Sequence, residues 1–350
     1  MNLSEFQDRI RAAAARSQGL RLRGGGSKDF YGNALRGEIL DTRAYAGIAA
    51  YEPTELVVTA RCGTSLAALE RTLEANQQCL PFEPPHFGPH ATVGGCVAAG
   101  LSGPRRSSAG ALRDFVLGVK LVDGRGEALS FGGQVMKNVA GYDVSRLLAG
   151  SLGTLGLIAE VSLKLAPRPQ AESTLRLEVP QGRALELMNR WAGQPLPVTA
   201  TAWHDGELTV RLSGSEAGVR AAAAKIGGSA LDEKAGFWMR VREHTDDFFA
   251  GPEPLWRLSV ASSSPPIDLQ GRQLIEWGGA LRWLKSAENP KAIRDTARRL
   301  KGHATLFRAA DKSPGCFAPL EPLLMRVHRE LKSAFDPAGI FNPGRLYPEL

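Results

Sequence analysis

The stretch RLRGGGSKDFYG, Arg21 to Gly32, gives up three consecutive side chains at Gly24, Gly25 and Gly26 and follows them with Ser27. A backbone without Cβ atoms can turn successive N–H groups toward one point, and such concave nests hold phosphates. The spacing matches neither GxxxxGKS/T nor a complete GxGxxG, so these four residues alone fit a flexible turn as well as an anion cradle. Three further stretches carry a related signature. ATVGGCVAAGLSGPRRSSAG, Ala91 to Gly110, joins a glycine pair to small residues and a second Ser/Gly turn, as expected where backbone lies against a long flat ligand. GSLGTLGLIAEVSLKL, Gly150 to Leu165, sets glycines at 150, 153 and 156 before a β-rich run, and FDPAGIFNPGRL, Phe335 to Leu346, brings an Asn-Pro-Gly turn.

Groups that could move a proton or hold a metal are not gathered in this way. His86 and His90 are four apart, but Pro84, Pro85 and Pro89 exclude the helix that would put them on one face. There is no HxH, HExxH or GxSxG, and His204, His244, His303 and His328 stand alone. Cys62, Cys79, Cys96 and Cys316 form no CxxC pair and have no histidine at zinc-finger spacing, so neither a disulfide framework nor a metal site is expected.

These residues need elements to position them, and the composition allows many. With 350 residues, 43% hydrophobic and 23% charged, the chain can bury a large core and is expected to form two domains. Its apolar runs are too short or too glycine-rich to span a bilayer, and MNLSEFQDRI lacks the basic-then-apolar order of a secretory signal, which points to the cytoplasm. The formal charge of +7 comes from scattered arginines without a basic block interleaved with aromatics. That pattern argues against nucleic acid and for a surface that favours anionic ligands or an acidic partner.

Glycine is dense up to Pro167-Arg168-Pro169 and thinner beyond, so that paired-proline segment is taken as the junction. In the first half, Ser4 to Gln18 reads as a helix with a capping box at Ser4 and Gln7 and an apolar stripe at Leu3, Phe6 and Ile10. Strand patterns cover Leu20 to Arg23, Glu38 to Thr42, Ile48 to Tyr51 and Leu56 to Ala60. Thr64 can cap a helix carrying Leu66, Leu69 and Leu73, and Asp123-Gly124-Arg125-Gly126 reads as a hairpin turn between Val116–Val122 and Glu127–Phe131.

The second half places a strand near Thr174 to Val179, a helix near Arg183 to Trp191, strands Val198 to Trp203 and Glu207 to Leu212, and a helix from Glu216 to Ile226. That order is the first part of a split βαβ layout. Strands at Leu255 to Ala261, Ala280 to Leu284 and Ala304 to Arg308, with a helix near Lys291 to Leu300, extend it into an antiparallel sheet covered by helices. Leu320, Leu324, Val327, Leu331 and Phe335 then recur at helical spacing up to Asp336-Pro337. The fold class is α+β.

The four glycine-bearing stretches, in this order, resemble the FAD-binding domain of the vanillyl-alcohol oxidase and p-cresol methylhydroxylase type. Within that family GGQVMKNVAGYDVSRLLAGSLGTLG, Gly132 to Gly156, and the terminal FNPGRL are most similar to the FAD-binding E subunits of bacterial glycolate oxidases. The resemblance implies an FAD-binding domain over 1–168, an antiparallel α+β cap-like domain over 169–335 and a tail, 336–350, that returns to the flavin. It further implies FAD bound without a covalent link, a small 2-hydroxy acid such as glycolate as substrate, and a sister flavin subunit and an iron–sulfur subunit as partners.

Carried onto this sequence, the resemblance has Gly24, Gly25, Gly26 and Ser27 cradling the FAD pyrophosphate, and Thr92, Gly94 and Gly95 continuing that contact. Gly103, Ser107 and Gly110 would lie along the flavin, with Ala109 where the family usually has an aromatic residue. Gly150, Gly153 and Ile158 would pass the adenine or ribitol side, Asn342 would approach the isoalloxazine ring, and Lys137 and Tyr142 would shape its pocket. Oxidising a 2-hydroxy acid also needs a base and a cationic carboxylate clamp. Longer, self-sufficient members carry a metal-binding histidine motif that this chain lacks, so two readings stand. One is a partner subunit carrying FAD, the other an independent FAD-dependent 2-hydroxy-acid dehydrogenase.

Overall fold

A computed structural model of the chain describes residues 2–133, 143–232 and 236–350. Lys137 and Tyr142 lie outside the described residues. Two compact units are present: Met1–Leu101, Ala111–Pro167 and Pro319–Leu350 make the first, and Ser102–Gly110 with Arg168–Ala318 the second. Ser102–Gly110 thus sits with the second unit although its sequence neighbours sit with the first. The reason is a set of polar ties: Trp277 Nε1 donates to the Gly103 carbonyl at 3.1 Å, Ser108 Oγ donates to the Thr199 carbonyl at 3.0 Å, and Arg105 pairs with Glu172 at 2.6 Å.

The first unit begins with the helix Leu3–Ala15, whose Phe6, Ile10 and Ala13 recur on one face and are buried against Leu20, Leu40, Val122, Leu157 and Phe341. Its N-cap is Asn2, which accepts from the Glu5 N–H at 3.0 Å, rather than the expected Ser4. Asparagine caps as well as serine, and the earlier start brings Leu3 onto the packed face. Leu20–Arg23 pairs in parallel with Glu38–Asp41, and Leu20 also bridges Phe341 of the C-terminal tail. The strand that leads into the glycine loop therefore has a neighbour from each end of the unit.

Behind it lies a five-stranded antiparallel sheet in the order Ile48–Glu52, Val57–Arg61, Leu157–Lys164, Val116–Val122, Ala128–Gly132. The expected turn closes its last hairpin: the buried Asp123 carboxylate accepts the N–H groups of Arg125 and Glu127, both at 2.9 Å. The helix Leu66–Glu74 buries Leu66, Leu69 and Leu73, as their spacing requires. Ser65 caps it, because Thr64 Oγ1 is engaged with the N–H and carbonyl of Gly47. The helix Pro322–Phe335 inverts the usual arrangement, with Leu323, Leu324 and Val327 of its apolar stripe 67%, 49% and 48% exposed while Lys332 is buried.

The second unit is an eight-stranded antiparallel sheet, ordered Ser229–Leu231, Ala171–Glu178, Glu207–Gly214, Val198–His204, Arg272–Glu276, Leu281–Lys285, Leu255–Ser259, His303–Arg308. Glu207–Gly214 runs antiparallel between Ala171–Glu178 and Val198–His204, which makes the split βαβ layout explicit. The helix Gln181–Ala192 packs Leu185, Met188 and Trp191 onto Leu208, Val210, Leu212 and Ile275. The helix Pro290–Arg299 packs Ile293 and Ala297 onto Trp256, Leu258 and Leu306. The strand Arg272–Glu276 and the helix Phe237–Glu243 are elements the sequence reading did not assign. Among the described residues, no helix is long and apolar enough to cross a membrane.

Candidate functional site

The three glycines of the loop are required first by the protein's own neighbouring atoms. A Cβ on Gly24 would overlap Thr92 Oγ1, and one on Gly25 would overlap the His90 carbonyl oxygen. Gly26 has φ +72°, a left-handed conformation, and the Arg23 guanidinium occupies the place where its Cβ would stand. Thr92 in turn caps the helix Val93–Ala99 by accepting from the Gly95 N–H at 3.3 Å. The two glycine-rich stretches are therefore locked to each other. Asp29 completes the loop by accepting from Arg21 and, at 3.1 Å, from Arg23 Nε.

A third and a fourth segment meet the loop through Asn342. Its Oδ1 accepts from the Leu22 N–H at 2.8 Å, its Nδ2 donates to the Leu152 carbonyl at 2.6 Å, and its own N–H donates to the Leu20 carbonyl at 2.8 Å. Asn342 does this at φ +41°, a region that asparagine tolerates better than most residues. Beneath it, Lys332 Nζ donates to Asp336 Oδ2 at 2.7 Å and to the carbonyls of Thr154 and Phe341 at 2.7 and 2.8 Å. Asp336 accepts the N–H groups of Ile340 and Phe341 in return. Burial pulls the Lys332 ammonium below its ordinary range, and the Asp336 carboxylate works against that shift.

These segments enclose two adjoining clefts of about 380 and 560 Å³ counted to their open mouths, which share Leu22, Arg23, Gly24, Gly95, Ala98, Leu152 and Asn342. One extends along Gly25, Gly26, Ser27 and Thr92 to Arg345, and the other reaches Cys62, Gly94, Gly153 and Ile158. Most of the expected site residues are thus brought together. Gly150 lines neither cleft; at φ +88° it passes close to Gly100, and its N–H donates to the Val97 carbonyl at 3.0 Å. Gly103, Ser107 and Gly110 belong to the second unit. The sequence reading missed Arg23, Lys28 and Arg345, although each stands within two residues of a motif it had singled out.

The lining fits a dinucleotide. Around the glycine loop it offers main chain together with the cationic side chains of Arg23 and Lys28, donor chemistry that suits a diphosphate, and the positive charge of Arg345. In the other cleft Leu157 and Ile158, with the shared Leu22 and Ala98, present apolar surface suited to a flat ring. Gly153, at φ +70°, lets the backbone approach: a Cβ there would stand 2.8 Å from Asn342 Nδ2. Burial pushes the Cys62 and Cys96 thiols up to about 12, so both remain protonated and unreactive at neutral pH. His86 is held 2.9 Å from Glu70. Among the described residues, no group of three or more His, Cys, Asp or Glu side chains could hold a metal ion.

Comparison with known proteins identifies the family. Residues 2–132 match the family described as FAD binding domain. Over 98% of this chain and 97% of the relative's length, the sequence is 49% identical to glycolate oxidase subunit GlcE of Escherichia coli strain K12. The chain belongs to the GlcE family. A shorter match, 35% identical over 34% of this chain and 25% of the relative, is to glycolate oxidase subunit GlcD of Bacillus subtilis strain 168. In three dimensions, an alkyldihydroxyacetonephosphate synthase aligns with 96% of this chain and 74% of its own at a TM-score of 0.67 and 15% identity, a likeness of fold alone. This GlcE-family chain is accordingly an α+β flavoprotein, and FAD is its cofactor.

Proposed function

We propose that this chain is the FAD-carrying subunit of a multi-subunit glycolate oxidase, that it oxidises glycolate to glyoxylate only within that assembly, and that electrons leave through the flavin toward an iron–sulfur subunit. The observation that carries this reading is the full-length identity to a named glycolate oxidase subunit, joined to a cleft whose lining suits FAD. When bound, FAD supplies a two-electron acceptor for the alcohol. The chain's own residues bind and orient it: the Gly24–Ser27 main chain, with Arg23 and Lys28, takes the diphosphate, and Leu22, Ala98 and Ile158 pack a flat ring. Attachment is proposed to be non-covalent, so acid precipitation should release the yellow colour into the supernatant.

A partner is implied by what the cleft does not contain. Among the described residues that line it, the acidic Asp29 is committed to Arg21 and Arg23 and there is no histidine, so none of them stands ready as a base for the hydroxyl proton. The solvent-facing leucines of Pro322–Phe335 also suit a surface that an assembly covers. The test is an anaerobic glycolate titration of the purified, FAD-loaded chain, repeated with a sister flavin subunit and an iron–sulfur subunit present. The flavin is expected to stay oxidised alone and to bleach with the partners. Rapid, stoichiometric bleaching of the lone chain would instead establish a self-sufficient dehydrogenase.

A further inference from the structure

The glycine loop turns into residues 28–33, a segment that belongs to no strand. Its Lys28 carbonyl accepts the Tyr31 N–H at 3.0 Å, and several of its carbonyls also take donors from elsewhere, since a buried carbonyl without one is costly. Those donors arrive from the far end of the chain. The Arg345 guanidinium is 5% exposed, and its Nη2 donates to the carbonyls of Asp29 at 2.9 Å, Lys28 at 3.4 Å and Tyr31, while Nη1 donates to that of Asn33. Asn33 returns the contact: its N–H donates to the Arg345 carbonyl at 3.0 Å, and its Nδ2 donates to the carbonyls of Gly344 at 3.2 Å and Leu346 at 3.0 Å. The same guanidinium lines the cleft bounded by Gly24, Gly25, Gly26 and Ser27.

We propose that Arg345 is a positioning residue for the cofactor: from the C-terminal tail it sets the shape of the loop that receives the FAD diphosphate, and FAD affinity depends on it. This rests on the FAD-binding reading above. A planar guanidinium carries five N–H groups in a fixed fork, so it can engage several carbonyls in one plane; an ammonium carries three on a flexible stem and cannot reproduce that pattern. The tail is anchored independently of the loop, through Lys332 to Phe341 and Thr154 and through Asp336 to Ile340 and Phe341. Arg345 therefore brings a fixed template to the loop. By drawing the 28–33 carbonyls to itself, it fixes how the preceding glycine turn faces the cleft, and its positive charge stands on the side where a diphosphate would sit.

The experiment compares wild type, Arg345→Lys and Arg345→Ala in three measurements: the unfolding midpoint of the apoprotein, FAD affinity by titration, and FAD affinity of Arg345→Ala with added guanidinium ion. Folded variants are expected with FAD dissociation constants at least about tenfold higher than wild type. Lysine should recover little of that loss, and guanidinium should recover part of it in the alanine variant. Wild-type affinity in the folded Arg345→Lys and Arg345→Ala proteins would overturn the proposal. So would loss of the fold in both variants, or an affinity loss that guanidinium leaves untouched, since either would make Arg345 a general structural residue. Failure of the wild-type chain to bind FAD at all would instead overturn the functional reading on which the proposal rests.

Discussion

The two units solve opposite problems with different chemistry. In the first, main chain is approached closely by main chain and by short polar side chains: Gly25 lies against the His90 carbonyl, Gly24 against Thr92 Oγ1, and the Leu22 amide against Asn342 Oδ1. Its buried charges, Lys332, Asp336 and Arg345, hold main-chain groups in place. In the second, side chain meets side chain within a sheet. Trp283 Nε1 donates to the buried Glu276 carboxylate at 2.7 Å, Arg106 and Arg257 lie 4.4 and 5.1 Å from the Trp277 ring centre, and His244 stacks on Phe249 at 3.9 Å. Burial pulls Arg282 there down to about 10. A unit that presents main chain to a ligand tolerates almost no added atoms at its loops, whereas a side-chain sheet absorbs substitution by repacking.

The largest effect expected from that contrast is at Gly25. Gly25→Val places a branched side chain in the His90 carbonyl, so the first unit should fail to accumulate in folded form, which limited proteolysis and thermal unfolding would show. A soluble, stable Gly25→Val protein would mean that the loop moves freely. Next is Lys332→Met, which leaves the Asp336 carboxylate buried without its cation and should cost about 3–5 kcal/mol in denaturant unfolding. A loss below about 1 kcal/mol would place this ion pair among those of surface strength.

Gly95→Ala separates ligand contact from folding. Its Cβ would meet only Thr92 Oγ1, at 3.2 Å, within a helix where alanine is preferred by about 1 kcal/mol. Stability should hold while FAD affinity falls about tenfold, equivalent to about 1.4 kcal/mol, measured by flavin titration. Unchanged affinity would move the ligand away from this wall of the cleft.

The smallest effect belongs to the second unit and is set by pH. Burial, followed by Arg308 and Arg257, holds the His244 imidazole well below its usual range, and burial with Arg257 lowers His303 in the same direction. Below the unfolded value near 6.5 the unfolded chain binds protons that the native one refuses, so stability is complete above about pH 7 and declines as pH falls through 6.5. Each 1 kcal/mol lost corresponds to about 2–4 °C in the midpoint of a unit this size. His244→Asn, which suits the φ of +54° there, should flatten the slope between pH 7 and 5; an unchanged slope would assign it to other groups.

Several of these features were legible in the sequence. The glycine runs were readable because each removes a side chain where nothing else fits, and the stripes at Phe6 and Ile10 or at Leu66, Leu69 and Leu73 because a helix with a buried face imposes its period. The placement of Ser102–Gly110 was hidden, since it depends on a hydrogen bond from Trp277, 174 residues away. Lys332 sits in an amphipathic helix whose apolar stripe normally marks the buried side, yet here Lys332 is buried and Leu323 and Leu324 face solvent. Arg345 reads as an ordinary basic residue after a turn. Its role exists only because the tail returns beside Leu20.

Hydrogen–deuterium exchange of the chain with and without FAD tests the central claim most directly, because it locates the cofactor in one unit or the other. Protection should appear in residues 22–29, 92–99 and 150–158 and in the tail at 340–346, while the strand Glu207–Gly214 in the second unit exchanges as before. Protection confined to the second unit, with the glycine loop unchanged, would contradict the account.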